Sequence, residues 1–200
     1  MTKPATRIQQ RNRAAILSAG LDVFSQFGFR GSTLDQISEA AGLSKPNLLY
    51  YFPSKEAIHT ALLERLLETW LNPLHALDGS GEPVAEIMAY AQRKLTMSRE
   101  FPRESRLFAN EILQGAPRIA DILKSDLKAL VDEKAAIIRA WSKAGQIADI
   151  DPHHLIFSIW AFTQHYADFD VQVRAVLGDR EPYDGAAVFL DTLYAKLLKP

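Results

Sequence analysis

Hydrogen-bond donors crowd into one short stretch of this 200-residue chain, where Ser44, Lys45, Asn47, Tyr50, Tyr51 and Lys55 follow one another closely. Lysine and asparagine side chains can donate to base edges in a major groove. Tyrosine and lysine can reach phosphate oxygens and fix register on a duplex. Thr33 and Ser44 each stand where a helix should begin, and the amides at a helix N-terminus favour phosphate. A second constellation lies far along the chain. Trp160 and Gln164 are four residues apart, on one helical face. An amide can donate to a carbonyl and accept from an N–H, and an indole can wall a planar ring. Together they would suit a planar heterocycle bearing an imide. The plainer alternative is an amphipathic core helix with Gln164 bonded to protein.

Positioning the first set requires two helices and a tight turn. Thr33 with Gln36 three residues on forms a capping box. Leu34, Ile37 and Ala41 then face inward, and Gly42 can take the positive φ that ends the helix. Ala41 is small where two helices cross, and Leu43 plugs the small core. Ser44 caps the next helix, from Lys45 to Tyr51, with Pro46 in its first turn, where a missing N–H is harmless. An ordinary helical hairpin is the alternative, but the basic end, the tandem tyrosines and Lys55 favour DNA.

The rest of the chain also reads as helix, with apolar residues at helical spacing and no sustained strand alternation. The spacing predicts nine helices: one from Arg7 to about Phe27 closed by Gly28 and Gly31, the two above, one from Ser54 to about Leu71 (or Leu77 if Pro73 only kinks it), then 83–98, 102–114, 117–143, Asp151 to about Phe169, and Tyr183 to about Leu198. Asp78-Gly79-Ser80-Gly81 is a surface loop and Gly178 to Pro182 a turn. The expected division is a DNA-binding domain over 1–53 and a ligand-binding and dimerisation domain over 54–200.

Charge is nearly balanced over the whole chain, at −1, but not along it. Residues 1–60 carry +3 and residues 61–200 carry −4, and the first 13 residues hold four bases and no acid. A basic end on an acidic body suits a polyanionic partner. No cysteine is present, which excludes disulfides, thiolate metal sites and a cysteine nucleophile. There is no glycine-rich phosphate loop, Gly-x-Ser-x-Gly elbow or His-Glu-x-x-His zinc motif, so neither an enzyme nor a metal or other cofactor is expected. His153 and His154 are adjacent and cannot share a helical face as ligands. Without an apolar run at the start or a span of membrane length, the chain is expected to be cytoplasmic.

The segment Phe24-Ser-Gln-Phe-Gly-Phe-Arg-Gly-Ser-Thr33, then Ile37, Ala40-Ala-Gly-Leu-Ser44, Leu48-Leu-Tyr-Tyr-Phe52 and Lys55-Glu56 resembles the helix-turn-helix of the tetracycline-repressor (TetR) family. The resemblance implies an all-helical homodimer whose first three helices bind a palindromic operator. Its remaining helices would hold a small effector and the dimer face. Asn47 to Glu56, Asp126 to Lys134, Asp151 to Phe157 and Trp160 to Phe169 are similar to the pyrimidine-utilisation regulators within this family, which respond to uracil or thymine. That likeness makes Trp160 and Gln164 effector contacts, with Trp70, Phe108 and Glu111 as further cavity candidates. Pro46 departs from the pattern, standing where a polar residue such as threonine is expected, and the last helix matches poorly beyond Gly178. A regulator with an unrelated effector, or a DNA-binding protein without one, are the competing readings. Val188, Leu190, Leu193 and Leu197 are expected to divide between core and dimer face.

Overall fold

The computed structural model describes residues 6–200; Lys3, one of the four N-terminal bases, lies outside them. The described residues form helices α1 (Arg7–Gly31), α2 (Leu34–Ala40), α3 (Lys45–Tyr51), α4 (Lys55–His75), α5 (Pro83–Glu100), α6 (Pro102–Leu113), α7 (Ala120–Ile122), α8 (Lys128–Lys143), α9 (Pro152–Asp168), α10 (Asp170–Leu177) and α11 (Pro182–Leu197). No strand occurs among them. They pack as two compact units: residues up to Leu67 with Arg106–Ile119, and Glu68–Ser105 with Ala120–Pro200.

In the first unit, local chemistry sets the helix ends, at α2 and α3 as the sequence predicts. Thr6 and Gln9 form a capping box at the start of α1, and Thr33 and Gln36 form another at α2. Helix α1 has a kink at Gly28, whose φ of 66° is outside the helical region, and it closes at Ser32. The turn between α2 and α3 is a Schellman closure: the Leu43 amide bonds to the Ser38 carbonyl and the Gly42 amide to that of Glu39. Gly42 sits at φ +65°. Ile16, Phe24, Ile37, Leu48, Ile58 and Leu63 are buried. Helix α1 approaches α4 so closely that a Cβ on Gly20 would come 2.8 Å from Ile58 Cγ2.

In the second unit α5 is central, packed against α9 and α11. Its core runs through Leu74, Ile87, Leu95, Ile138, Trp141, Ile156, Leu190 and Tyr194. Pro73 is accommodated inside α4, which continues to His75.

The nine-helix expectation needs two corrections. The predicted helix over 117–143 starts at Ala120 and passes through a π-helical turn, Leu123–Leu127, into α8. The segment after Phe169, unassigned from sequence, forms α10. Phe169 has φ −114° and ψ 29°, so one non-helical residue separates α9 from α10.

Gly42→Ala should leave the fold intact but cost about 1–2 kcal/mol, because a Cβ penalises left-handed backbone even where space is open. Thermal unfolding should show the midpoint falling by several degrees; an unchanged midpoint would mean the turn tolerates the side chain.

Candidate functional site

Helix α3 stands on a cap and a buried anchor. The Ser44 hydroxyl accepts from the Asn47 amide, Leu48 is fully buried, and Lys45, Pro46, Asn47, Leu49 and Tyr50 are exposed. Tyr50 is 72% exposed, the most of any large aromatic residue on this helix. Two bonds from α1 orient the tyrosines: Gln9 Nε2 donates to the Tyr50 hydroxyl at 3.4 Å, and Asn12 Nδ2 to that of Tyr51 at 3.1 Å. The Arg13 guanidinium lies 4.2 Å from the centre of the Phe52 ring. Lys45 Nζ is 3.0 Å from Asp35 Oδ2, with both side chains well exposed. This pair is screened and weak, so the ammonium can exchange it for a stronger anion.

Lys55 is committed differently. Its Nζ donates to the carbonyls of Phe29 at 2.7 Å and Ser32 at 2.6 Å, and sits 4.3 Å from the Phe29 ring centre. It neutralises the carbonyl end of α1 and fixes the chain leading into the Thr33 cap.

The expected effector residues fall in both units. Phe108 and Glu111 count with the first. Glu111 is buried, and its carboxylate accepts from the Arg118 amide at 2.8 Å and the Arg118 guanidinium at 2.9 Å. That guanidinium packs 3.5 Å from the Phe29 ring centre. His59, also buried, lies against Phe24 and Phe29 with Nδ1 3.9 Å from Glu111 Oε2. Burial and the nearby Arg118 and Lys55 charges push its pKa down to about 4.

Trp70, Trp160 and Gln164 belong to the second unit. Trp160 Nε1 donates to the Tyr90 hydroxyl at 2.6 Å, joining α9 to α5. Burial raises the Tyr90 pKa well above the usual phenol range, keeping it neutral and able to accept. Tyr90 also lines an open hollow of ≈ 280 Å³ beside Pro73, Leu77, Ala89 and Arg93. Gln164 follows Trp160 by one turn and is half-buried. Trp70 is buried, with the Lys94 ammonium 4.0 Å from its ring centre.

The chain matches the bacterial regulatory proteins, tetR family, over residues 16–62, and the YcdC-like protein C-terminal region over residues 63–200. It is 56% identical to the HTH-type transcriptional regulator RutR of Escherichia coli K12 over 177 residues, 88% of this chain and 84% of that protein. It is also 30% identical to the HTH-type transcriptional repressor NicS of Pseudomonas putida, over 72% of this chain and 68% of that protein. This protein belongs to the TetR family. Its fold is shared with the transcriptional regulator SCO4942 of Streptomyces coelicolor at a TM-score of 0.75, with 22% identity, 94% of this chain and 99% of that chain covered.

All six expected DNA contacts other than Lys55 fall within the matched residues 16–62, with Thr33 and Ser44 capping α2 and α3 and Lys45, Asn47, Tyr50 and Tyr51 on α3. Lys94, Tyr90, His59 and Arg118 were not singled out from sequence. A signal existed for two of them. Lys94 falls on the inward stripe Ile87, Tyr90, Ala91, Leu95 and Ser98, and His59 on the stripe Ile58, Leu62, Leu63 and Leu66, where a polar residue is out of place.

Because folded His59 titrates near pH 4 and an unfolded histidine near 6.5, only the unfolded chain takes up this proton in between. Stability should therefore fall as pH drops from about 6.5 to about 4, by about 3 kcal/mol from this residue. Urea unfolding of wild type and His59→Leu checks this: the variant should lose that part of the slope, and identical slopes would exclude His59 as its source.

Proposed function

We propose that this TetR-family chain is a homodimeric repressor of pyrimidine-metabolism genes, acting in the cytoplasm, whose hold on a palindromic operator is controlled by uracil or thymine. The observation that carries the reading is the reach of its likeness to RutR, 88% of the chain, well beyond the helix-turn-helix. Trp160 and Gln164 lie in the second unit, so similarity there bears on the ligand.

On DNA, α3 enters the major groove with Lys45 and Asn47 toward base edges. Tyr50, Tyr51 and the capped amide ends at Thr33 and Ser44 take phosphates. Lys55 contributes by holding the approach to α2. One head reads a half-site, so two copies are required. The exposed apolar residues of α9 and α11, among them Phe162 in edge contact with Phe189, and Val188 and Leu197 nearby in sequence, support pairing of two chains through these helices. Leu190, by contrast, is buried in the chain's own core.

For the effector, Gln164 supplies the donor and acceptor that match a carbonyl next to an N–H, and Trp160 walls the ring. A wrong heterocycle would leave these polar atoms unpaired, which is where selectivity arises. The ligand changes operator affinity to the extent that it binds one protein conformation better than another.

Two substitutions separate the functions in an operator-binding titration with and without uracil. Lys45→Ala should weaken operator binding about tenfold, the loss of one charged contact. Gln164→Ala should bind the operator as wild type does but no longer respond to uracil. Undiminished operator affinity in the first, or a normal uracil response in the second, would overturn the corresponding assignment. A wild-type protein that binds a palindrome but ignores uracil and thymine would point to an unrelated effector.

A further inference from the structure

The second unit buries two lysines, and they are held in different ways. Lys134, 4% exposed, donates to the His75 carbonyl at 3.3 Å and to the Glu133 carboxylate at 2.8 Å. Lys94, 3% exposed, has its ammonium over the face of Trp70 at 4.0 Å. A buried ammonium costs several kcal/mol in lost hydration unless paired and hydrogen-bonded. A tryptophan face returns only part of that when desolvated. An uncharged residue such as methionine would fill the same volume on α5 without that cost.

The position of Lys94 shows what it faces. Tyr90 and Lys94 are four apart on α5, hence on one stripe. Trp160, Gln164 and Asp168 are four apart on α9, hence on another. Tyr90 meets Trp160 at one end of these stripes. At the other, the Asp168 field acts on Lys94, while the Asp168 carboxylate accepts from the Ser105 hydroxyl. Gln164 follows Trp160 by one turn as Lys94 follows Tyr90, so the register set by the Tyr90–Trp160 bond puts Gln164 level with Lys94 on the packed helices.

We propose that Lys94 is a specificity-determining residue of the effector site, donating from its ammonium to an oxo group of a pyrimidine-dione whose imide edge is held by Gln164. This rests on the proposed uracil or thymine response. An ammonium has three donors and no acceptor. It therefore favours a ring oxygen and rejects an exocyclic amino group at the same place, which separates uracil and thymine from cytosine.

The same placement links effector binding to a proton. Desolvation lowers the Lys94 pKa to about 7, against the opposing pull of Asp168. Trp70 from α4 lies against it, Tyr90 precedes it by one turn on its own helix, and the Tyr183 hydroxyl from α11 donates to the Ser98 carbonyl one turn on. Neither Trp70 nor the two phenols, both raised well above neutral pH, carries charge there. An oxo group accepting from Lys94 favours the charged form, so the free protein must take up a proton when it binds above pH 7. Affinity should fall about tenfold per pH unit above that point, until the raised pKa of the complex is passed.

The test is calorimetric titration of the full chain with uracil, in buffers of different ionisation enthalpy at pH 6 and pH 8, with cytosine as the control. The expected result is most of a proton taken up per uracil at pH 8, little at pH 6, and no saturable heat with cytosine. Lys94→Met, checked for a cooperative thermal transition, should bind uracil roughly ten- to a hundredfold more weakly and without the proton. Wild-type binding of uracil with no proton uptake at either pH, or unchanged affinity in the folded variant, would overturn the role of Lys94 alone. Absence of uracil and thymine binding in wild type would overturn the effector reading itself, and this inference with it. Proton uptake in wild type at pH 8 supports the role even if the variant does not fold.

Discussion

Two helices of seven residues cannot hold themselves in water, and everything this protein does on DNA depends on that constraint being met. An isolated helix below about 12–15 residues is marginal, while α2 and α3 have 7 residues each. They persist because their ends are bonded and their inner faces are buried. Thr33 and Gln36 close one N-terminus, Ser44 closes the other, and the Gly42 turn closes the carbonyl end of α2. Ile37 and Leu48 each spend one side chain on the core and leave the remaining faces free. Lys55 binds the carbonyls just before the Thr33 cap, so its charge holds the frame in which α3 is presented.

The interior follows the opposite rule. Packing would be best served by apolar residues throughout, yet both units bury polar groups. In the first, Glu111 is satisfied by Arg118, and His59 stays neutral among Phe24 and Phe29. In the second, Trp160 and Tyr90 satisfy each other, while Lys94 rests on an aromatic face. A self-contained pair can be explained by folding alone. A buried cation held by a ring has more to gain from a ligand, and the proposed selectivity rests on that difference.

What could be read from the sequence was mostly local. Capping residues act on amides two or three positions away, and proline suits a first helical turn, so the starts of α2, α3 and α9 follow from Thr33, Ser44 and Asp151, and that of α5 from Pro83. Gly42 was readable because only one residue type enters left-handed backbone without strain. The end of α9 near Phe169 was readable, but α10 was not, since no side chain caps its start and its Val171 and Val176 are apolar yet 85% and 76% exposed. The π turn at Leu123–Leu127 likewise has no residue signature. Among the site residues, exposure of Lys45, Asn47 and Tyr50 followed from the burial of Leu48 on the same short helix. The Lys45–Asp35, Lys55–Phe29 and Glu111–Arg118 contacts depend on where turns return the chain, which spacing alone does not give. The effector assignment came from resemblance, with Trp160 and Gln164 consistent with it chemically.

A repressor of the proposed kind requires its ligand and its operator to oppose each other through this chain. Linkage requires the effect to be reciprocal. The direct measurement is uracil affinity of the free protein against that of the protein saturated with its operator. Uracil should bind more weakly to the protein on DNA, by the same factor by which uracil weakens operator binding. Equal uracil affinities in the two states would contradict it, because a ligand that does not distinguish them cannot control the operator.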